Sequence, residues 1–112
     1  MEGTGIEVEA KLVTVMPDEL HRLIKKKLEG AGLYPEQANE VANHLVFADS
    51  SGIHSHGAVR VDYYAERIAK GGVTLEPNVS FEKTGESTGI FHGDNGIGQY
   101  VANLGLKGAI AM

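Results

Sequence analysis

Pro17 and Pro35 each open a run of apolar residues at helical spacing, and glycine closes each run. Proline suits the first turn of a helix, where its missing N–H costs nothing. After Pro17, Leu20, Leu23, Ile24 and Leu28 share one side, and Arg22, Lys25, Lys26 and Glu29 share the other. Asp18 and Glu19 suit the positive end of the helix dipole, and Gly30 and Gly32 end the run. After Pro35-Glu36, the residues Ala38, Val41, Ala42, Leu45 and Val46 form a second stripe that breaks at Ser50-Ser51-Gly52. A chain punctuated in this way folds into short amphipathic helices packed on one another. Lys25-Lys26-Lys27 lies on the polar side of the first helix and reads as a solvated face.

The spacing predicts a third helix over Gly57 to Lys70, with Val61, Ala65 and Ile68 on its core side and Gly71-Gly72 as its stop. Pro77 forces an extended stretch. Two short strands follow, Val79 to Thr84 and Thr88 to His92, joined at Gly85-Glu86. A last helix begins near Gly98 and carries Val101, Leu104 and Ile110. No stop signal precedes Met112, so the chain reads as a segment of a longer protein. At the other end, Ile6 to Val15 alternate apolar and charged residues, which makes residues 1–15 a tail or an edge strand. The expected fold class is α/β in the α+β sense: N-terminal helices, a short β hairpin or strand pair, and a further helix, not a Rossmann fold. One domain covers residues 16–112.

Composition narrows the function. The absence of cysteine excludes a disulfide scaffold, a thiolate nucleophile and any Cys-ligated metal. Asp and Glu outnumber Lys and Arg by 15 to 10, so the electrostatic footprint of a nucleic-acid binder is missing. Met1 to Ala10 carries three Glu and reads as no signal peptide, and no apolar run is long enough to span a membrane. The expectation is a cytoplasmic protein.

The densest polar cluster runs from Gly52 to Tyr64. On a helix beginning near His56, the residues His56, Arg60 and Tyr64 stand at i, i+4 and i+8, on one face. Ser55 is adjacent. An acid/base group, a forked carboxylate binder and a phenol in a row suit a small substrate bearing a carboxylate. The same spacing also describes a bland helix, with Ser55 a cap, Arg60 a surface residue and Tyr64 a packing aromatic. His54-x-His56 has metal-ligand spacing but no patterned third ligand, so no metal site is assigned. His21 and His44 lie among apolar helix neighbours and read as structural, and His92 has no assigned role. Gly93-Asp-Asn-Gly-Ile-Gly98 precedes the last helix, where a glycine-rich turn can cradle an anion; its spacing is neither G-x-G-x-x-G nor a P-loop, and Asp94-Asn95-Gly96 reads at least as well as a tight turn.

Ser55-His56-Gly57-x-x-Arg60 resembles the signature of the type-2 malate/L-lactate dehydrogenase family. The resemblance extends to L-x-x-L-I from Leu20, Ala31-Gly-Leu33, Leu45-Val-Phe-Ala-Asp49, the glycines after the third helix, Pro77, and Asp94-x-x-x-Gly98. It covers roughly residues 16–112. The resemblance implies an NAD- or NADP-dependent oxidoreductase of a small 2-hydroxy or 2-keto acid. It implies active-site roles for Ser55 and His56, a carboxylate contact for Arg60, and a place for Tyr64 in the same pocket. His56 is then either the principal acid/base or an orienting partner. The resemblance also implies a homodimer of longer chains, with most of the nicotinamide site outside this segment, so no cofactor-binding residue is named. The alternative reading is a non-catalytic helical module for assembly or regulation.

Overall fold

The computed structural model describes residues 14–112. The strand expected over Ile6 to Val15 lies outside the described residues except for Thr14 and Val15, which adopt no regular structure. Among the described residues there are four α-helices and one two-stranded antiparallel sheet, the expected α+β arrangement. Helix α1 spans Pro17–Ala31, α2 Pro35–Ser50, α3 Val61–Ala69 and α4 Gly98–Ile110. Strands β1 (Ser80–Lys83) and β2 (Gly89–His92) form the hairpin between α3 and α4.

Helix α1 ends where Gly32 turns to φ +121°, a conformation that favours glycine, and the Leu33 N–H reaches back to the Leu28 carbonyl at 3.1 Å. Pro35 then starts α2 at once. The two helices pack on each other, and α3 packs on α1. Ile24 and Leu28 meet Val41, Ala42 and Leu45 in the core, with Ile68 from α3 and Leu33, Val73 and Ile97 from the connections. Leu28 and Val41 are fully buried. On the outer side, Lys27 pairs with Asp62 at 2.9 Å across α1 and α3.

In the hairpin, Phe81 faces Phe91 and Ser80 faces His92. Gly105 and Gly108 of α4 lie against these two rings. A Cβ on Gly108 would come within 2.9 Å of Phe81 Cδ2, and one on Gly105 within 3.5 Å of Phe91. The stretch before the hairpin is pinned at several points. Gln37, buried in α2, donates from Nε2 to the Leu75 carbonyl at 3.0 Å. Asp94 and Asn95 form a tight turn, both at positive φ, closed by Gly96 N–H to the Gly93 carbonyl. Asp94 accepts the Asn78 N–H, and Asn95 donates to the Gly72 carbonyl. The glycine-rich segment before α4 is therefore a turn whose polar groups are engaged by the 72–78 connection.

The third helix differs from expectation. It begins at Val61, not at Gly57, and two single 3-10 turns precede it, His54–His56 and Ala58–Arg60. Gly57 between them is extended, with φ −101° and ψ −145°. The next N–H, that of Ala58, goes to the Asp49 side chain at 2.8 Å instead of into a helix ladder. The extended Gly57 and the separate turns on either side of it delay the regular helix to Val61.

Candidate active site

The segment from α2 to α3 presents the expected site residues. At the end of α2, the Ile53 N–H folds back onto the Ala48 carbonyl at 2.8 Å, and Gly52 supplies a φ of +82°. The chain then makes the two 3-10 turns. Ser55 and His56 are exposed on the first, with Ser55 Oγ 3.0 Å from His56 Nδ1. Arg60 ends the second and is half-buried. It donates from Nε to the Ser55 carbonyl at 2.8 Å. Among the described residues no carboxylate pairs with Arg60. Ser55, His56 and Arg60 therefore come together through short-turn geometry, not along a helix face.

Tyr64 is placed differently. It is half-buried on α3, and its hydroxyl lies 3.4 Å from Gln99 Nε2 at the start of α4. It lines a cavity of about 560 Å³ together with His44, Arg67, Asn95 and Gln99. The expected row His56, Arg60, Tyr64 on one continuous helix does not form, because α3 begins only after Arg60. His44, expected to be structural, is exposed and lines this cavity. His21 bonds Asn43 at 2.8 Å, and His92 bonds Glu82 across the hairpin at 3.1 Å.

Sequence reasoning gave Asp49 no structural part. Its Oδ1 accepts from His54 Nδ1 at 2.9 Å, and its Oδ2 accepts from the Ala58 N–H. Aspartate is a known acceptor for backbone N–H groups at the start of turns and helices. That preference, and its place in the family-like stretch Leu45 to Asp49, are the sequence signals that pointed toward this residue. Among the described residues no group of three His, Asp or Glu side chains is arranged to hold a metal ion. No helix among them is long and apolar enough to cross a membrane.

The malate/L-lactate dehydrogenase family model matches residues 15–112. The chain belongs to that family. Among its relatives, ureidoglycolate dehydrogenase (NAD(+)) of Escherichia coli strain K12 is 55% identical over 93 residues, which cover 83% of this chain and 27% of that protein. Malate dehydrogenase of Pyrococcus horikoshii is 37% identical over 103 residues, covering 92% of this chain and 29% of that protein. The solved structure of malate dehydrogenase from Pyrococcus horikoshii OT3 superposes with a TM-score of 0.82 over 88% of this chain and 28% of that one. The chain thus spans a little over a quarter of the length of these dehydrogenases. The helices, hairpin and Ser-His turn described above are the family's fold over this segment.

Proposed function

We propose that this chain is the N-terminal part of an NAD-dependent 2-hydroxy-acid dehydrogenase that oxidises (S)-ureidoglycolate to oxalurate in allantoin breakdown. The observation that carries the reading is the Arg60–Ser55 bond. It holds a guanidinium beside the Ser55–His56 pair while leaving the Nη fork for a carboxylate. With the substrate carboxylate on that fork, the C2 hydroxyl comes within range of His56 and Ser55. His56 Nδ1 is engaged by Ser55, and the other ring nitrogen, Nε2, is left to accept the hydroxyl proton or to orient it. Tyr64 is assigned to the substrate on the family resemblance, and its hydroxyl opens on the neighbouring cavity.

The described residues do not by themselves form a dinucleotide cradle. In the glycine-rich turn at Gly93 to Gly98, the Asp94 carboxylate, the Asn95 side-chain amide and the Asn95 carbonyl are bonded to Asn78, Gly72 and Thr74. NAD enters from the relative at 55% identity, whose name carries NAD(+). When bound, the nicotinamide supplies the hydride acceptor. The same relative favours ureidoglycolate over malate or sulfolactate, the substrates named for relatives near 36% identity. It also favours a catalytic role over a non-catalytic helical module. We assign the whole enzyme to the cytoplasm as a homodimer. Exposed Phe47, Val59, Tyr63 and Ile110 are apolar surface that a second subunit would cover.

The test is a steady-state comparison of (S)-ureidoglycolate, malate, sulfolactate and lactate with the full-length enzyme and either NAD or NADP. The expected result is a clear preference for ureidoglycolate with NAD. Failure to oxidise any of the four would overturn the reading.

A further inference from the structure

We propose that Asp49 is the positioning residue for the Ser55–His56 turn, and that position 57 is glycine because the Asp49 carboxylate fills the space a side chain would need. The inference rests on the assignment of Ser55 and His56 to the substrate. A single 3-10 turn has poor hydrogen-bond geometry, and neither turn here has a side-chain cap from its own leading residue. Ser55 and His56 are also exposed, so packing does not hold them.

The Asp49 carboxylate supplies what packing does not. It projects from the last turn of α2, a helix whose other face is core, and its side chain is only 19% exposed. One oxygen takes His54 Nδ1–H and the other takes Ala58 N–H, at 2.9 and 2.8 Å. These two partners flank the Ser-His pair in sequence. A single carboxylate therefore fastens the segment to α2 from both sides, through bonds that its charge strengthens. The bond from Nδ1 also selects the tautomer of His54.

Gly57 completes the arrangement. A Cβ built there would lie 2.1 Å from Asp49 Oδ1 and 2.2 Å from its Cγ. The Asp49 carboxylate therefore leaves no room for a side chain at position 57, and positions 49 and 57 are coupled.

The experiment is a double-mutant cycle in the full-length enzyme, with Asp49→Ala, Gly57→Ala and the pair together, and with Asp49→Asn as the conservative variant. Asp49→Ala removes both charged hydrogen bonds and is expected to lower kcat by roughly tenfold or more, the scale of at least one of them, with the KM for NAD within about twofold. Asp49→Asn keeps an acceptor for Ala58 N–H and is expected to recover part of the loss. Gly57→Ala is expected to lower kcat in the parent and to add little on the Asp49→Ala background. Nitrogen-15 spectra of the His54 ring give a readout apart from turnover: an Nδ1–H tautomer in the parent and a mixed one in Asp49→Ala. If Asp49→Ala does not fold, Asp49→Asn and its ring spectrum carry the test. Equal effects of Gly57→Ala on both backgrounds, or an unchanged kcat and ring spectrum without Asp49, would overturn the inference. An inactive parent enzyme would overturn the proposed function instead, while the ring spectrum still reports on Asp49.

Discussion

Arg60 donates from Nε to the Ser55 carbonyl, 2.8 Å away, so the guanidinium is anchored at Nε. Lysine at this position keeps the charge but has neither the Nε anchor nor the fork. A hydrogen bond to a charged group contributes about 1.5–3 kcal/mol, and each 1.4 kcal/mol is tenfold. Arg60→Lys is therefore expected to lower kcat/KM for the 2-hydroxy acid about ten- to a hundredfold in the full-length enzyme. Stability should fall by no more than the net worth of the lost Nε–Ser55 bond, about 1.5–3 kcal/mol. An unchanged kcat/KM would remove Arg60 from the carboxylate site.

The core and the surface ion pairs should respond on different scales. Leu28 is fully buried between α1 and its neighbours. Leu28→Ala is expected to cost about 2–5 kcal/mol through lost transfer energy and the cavity left behind. Lys27→Ala removes only an exposed pair with Asp62 and should cost under ~1 kcal/mol. Urea unfolding of the two variants side by side measures the contrast. Equal costs would mean that the α1–α3 contact, not the buried stripe, governs stability.

Gly30 and Gly32 predict effects of opposite sign. Gly30 is within α1, and a Cβ there meets nothing within 4 Å. Gly30→Ala should stabilise by about 0.4–1 kcal/mol, because alanine restricts the unfolded chain and fits the helix. Gly32 sits at φ +121°, so Gly32→Ala should destabilise by more than that amount. Thermal melts that move in the same direction for both would contradict the placement of the α1 terminus.

Tyr34 carries a pH dependence. Its hydroxyl donates to Glu76 at 2.5 Å, and this bond holds the phenol above its ordinary range, with burial and the Glu76 charge adding to it. The folded state thus favours the protonated phenol. The contribution to stability is complete below the unfolded phenol pKa and is lost as pH rises through the folded value. The difference between phenolate absorbance titrations of the parent and Tyr34→Phe should show a group ionising above free tyrosine. A difference curve at or below the free value would show that the Tyr34–Glu76 bond does not persist in solution.

The unaided segment should not turn over substrate. Hydride transfer needs a positioned nicotinamide, and the glycine-rich turn before α4 has neither the G-x-G-x-x-G nor the P-loop spacing. The purified 112-residue chain with ureidoglycolate and NAD is expected to produce no NADH above background. Turnover at the rate of the intact enzyme would show that the dinucleotide is held within these residues.

The elements governed by local chemistry were legible in the sequence. Pro17, Gly32 and Pro35 mark the ends of α1 and the start of α2 because each acts through its own backbone. The hairpin follows from alternation around Gly85-Glu86, and α4 from the turn before Gly98. The start of α3 was not legible, because the extended backbone at Gly57, beside the Asp49 carboxylate nine residues from Ala58, depends on a contact between α2 and the turn that helical spacing does not report. Ser55, His56 and Arg60 were visible as residue types at a suggestive spacing, but the helix face invoked to unite them is replaced by two 3-10 turns. Tyr64 shows the limit of such spacing arguments: once the helix starts later, the phenol meets Gln99 on α4.

The apolar residues of α4 leave that helix without a single fully buried member, and both strands of the hairpin are likewise outside the core. The α1–α2 pair, in contrast, holds Ile24, Leu28, Val41, Ala42 and Leu45. Cooperative opening follows buried apolar contact. Amide hydrogen exchange should therefore separate the segment into two tiers, with α1 and α2 exchanging only through global unfolding and β1, β2 and α4 through a cheaper, partial opening. The turn that carries Ser55 and His56 is fastened to α2, whereas Tyr64 meets Gln99 on α4, so the proposed site straddles the two tiers and its Tyr64 side feels the partial opening.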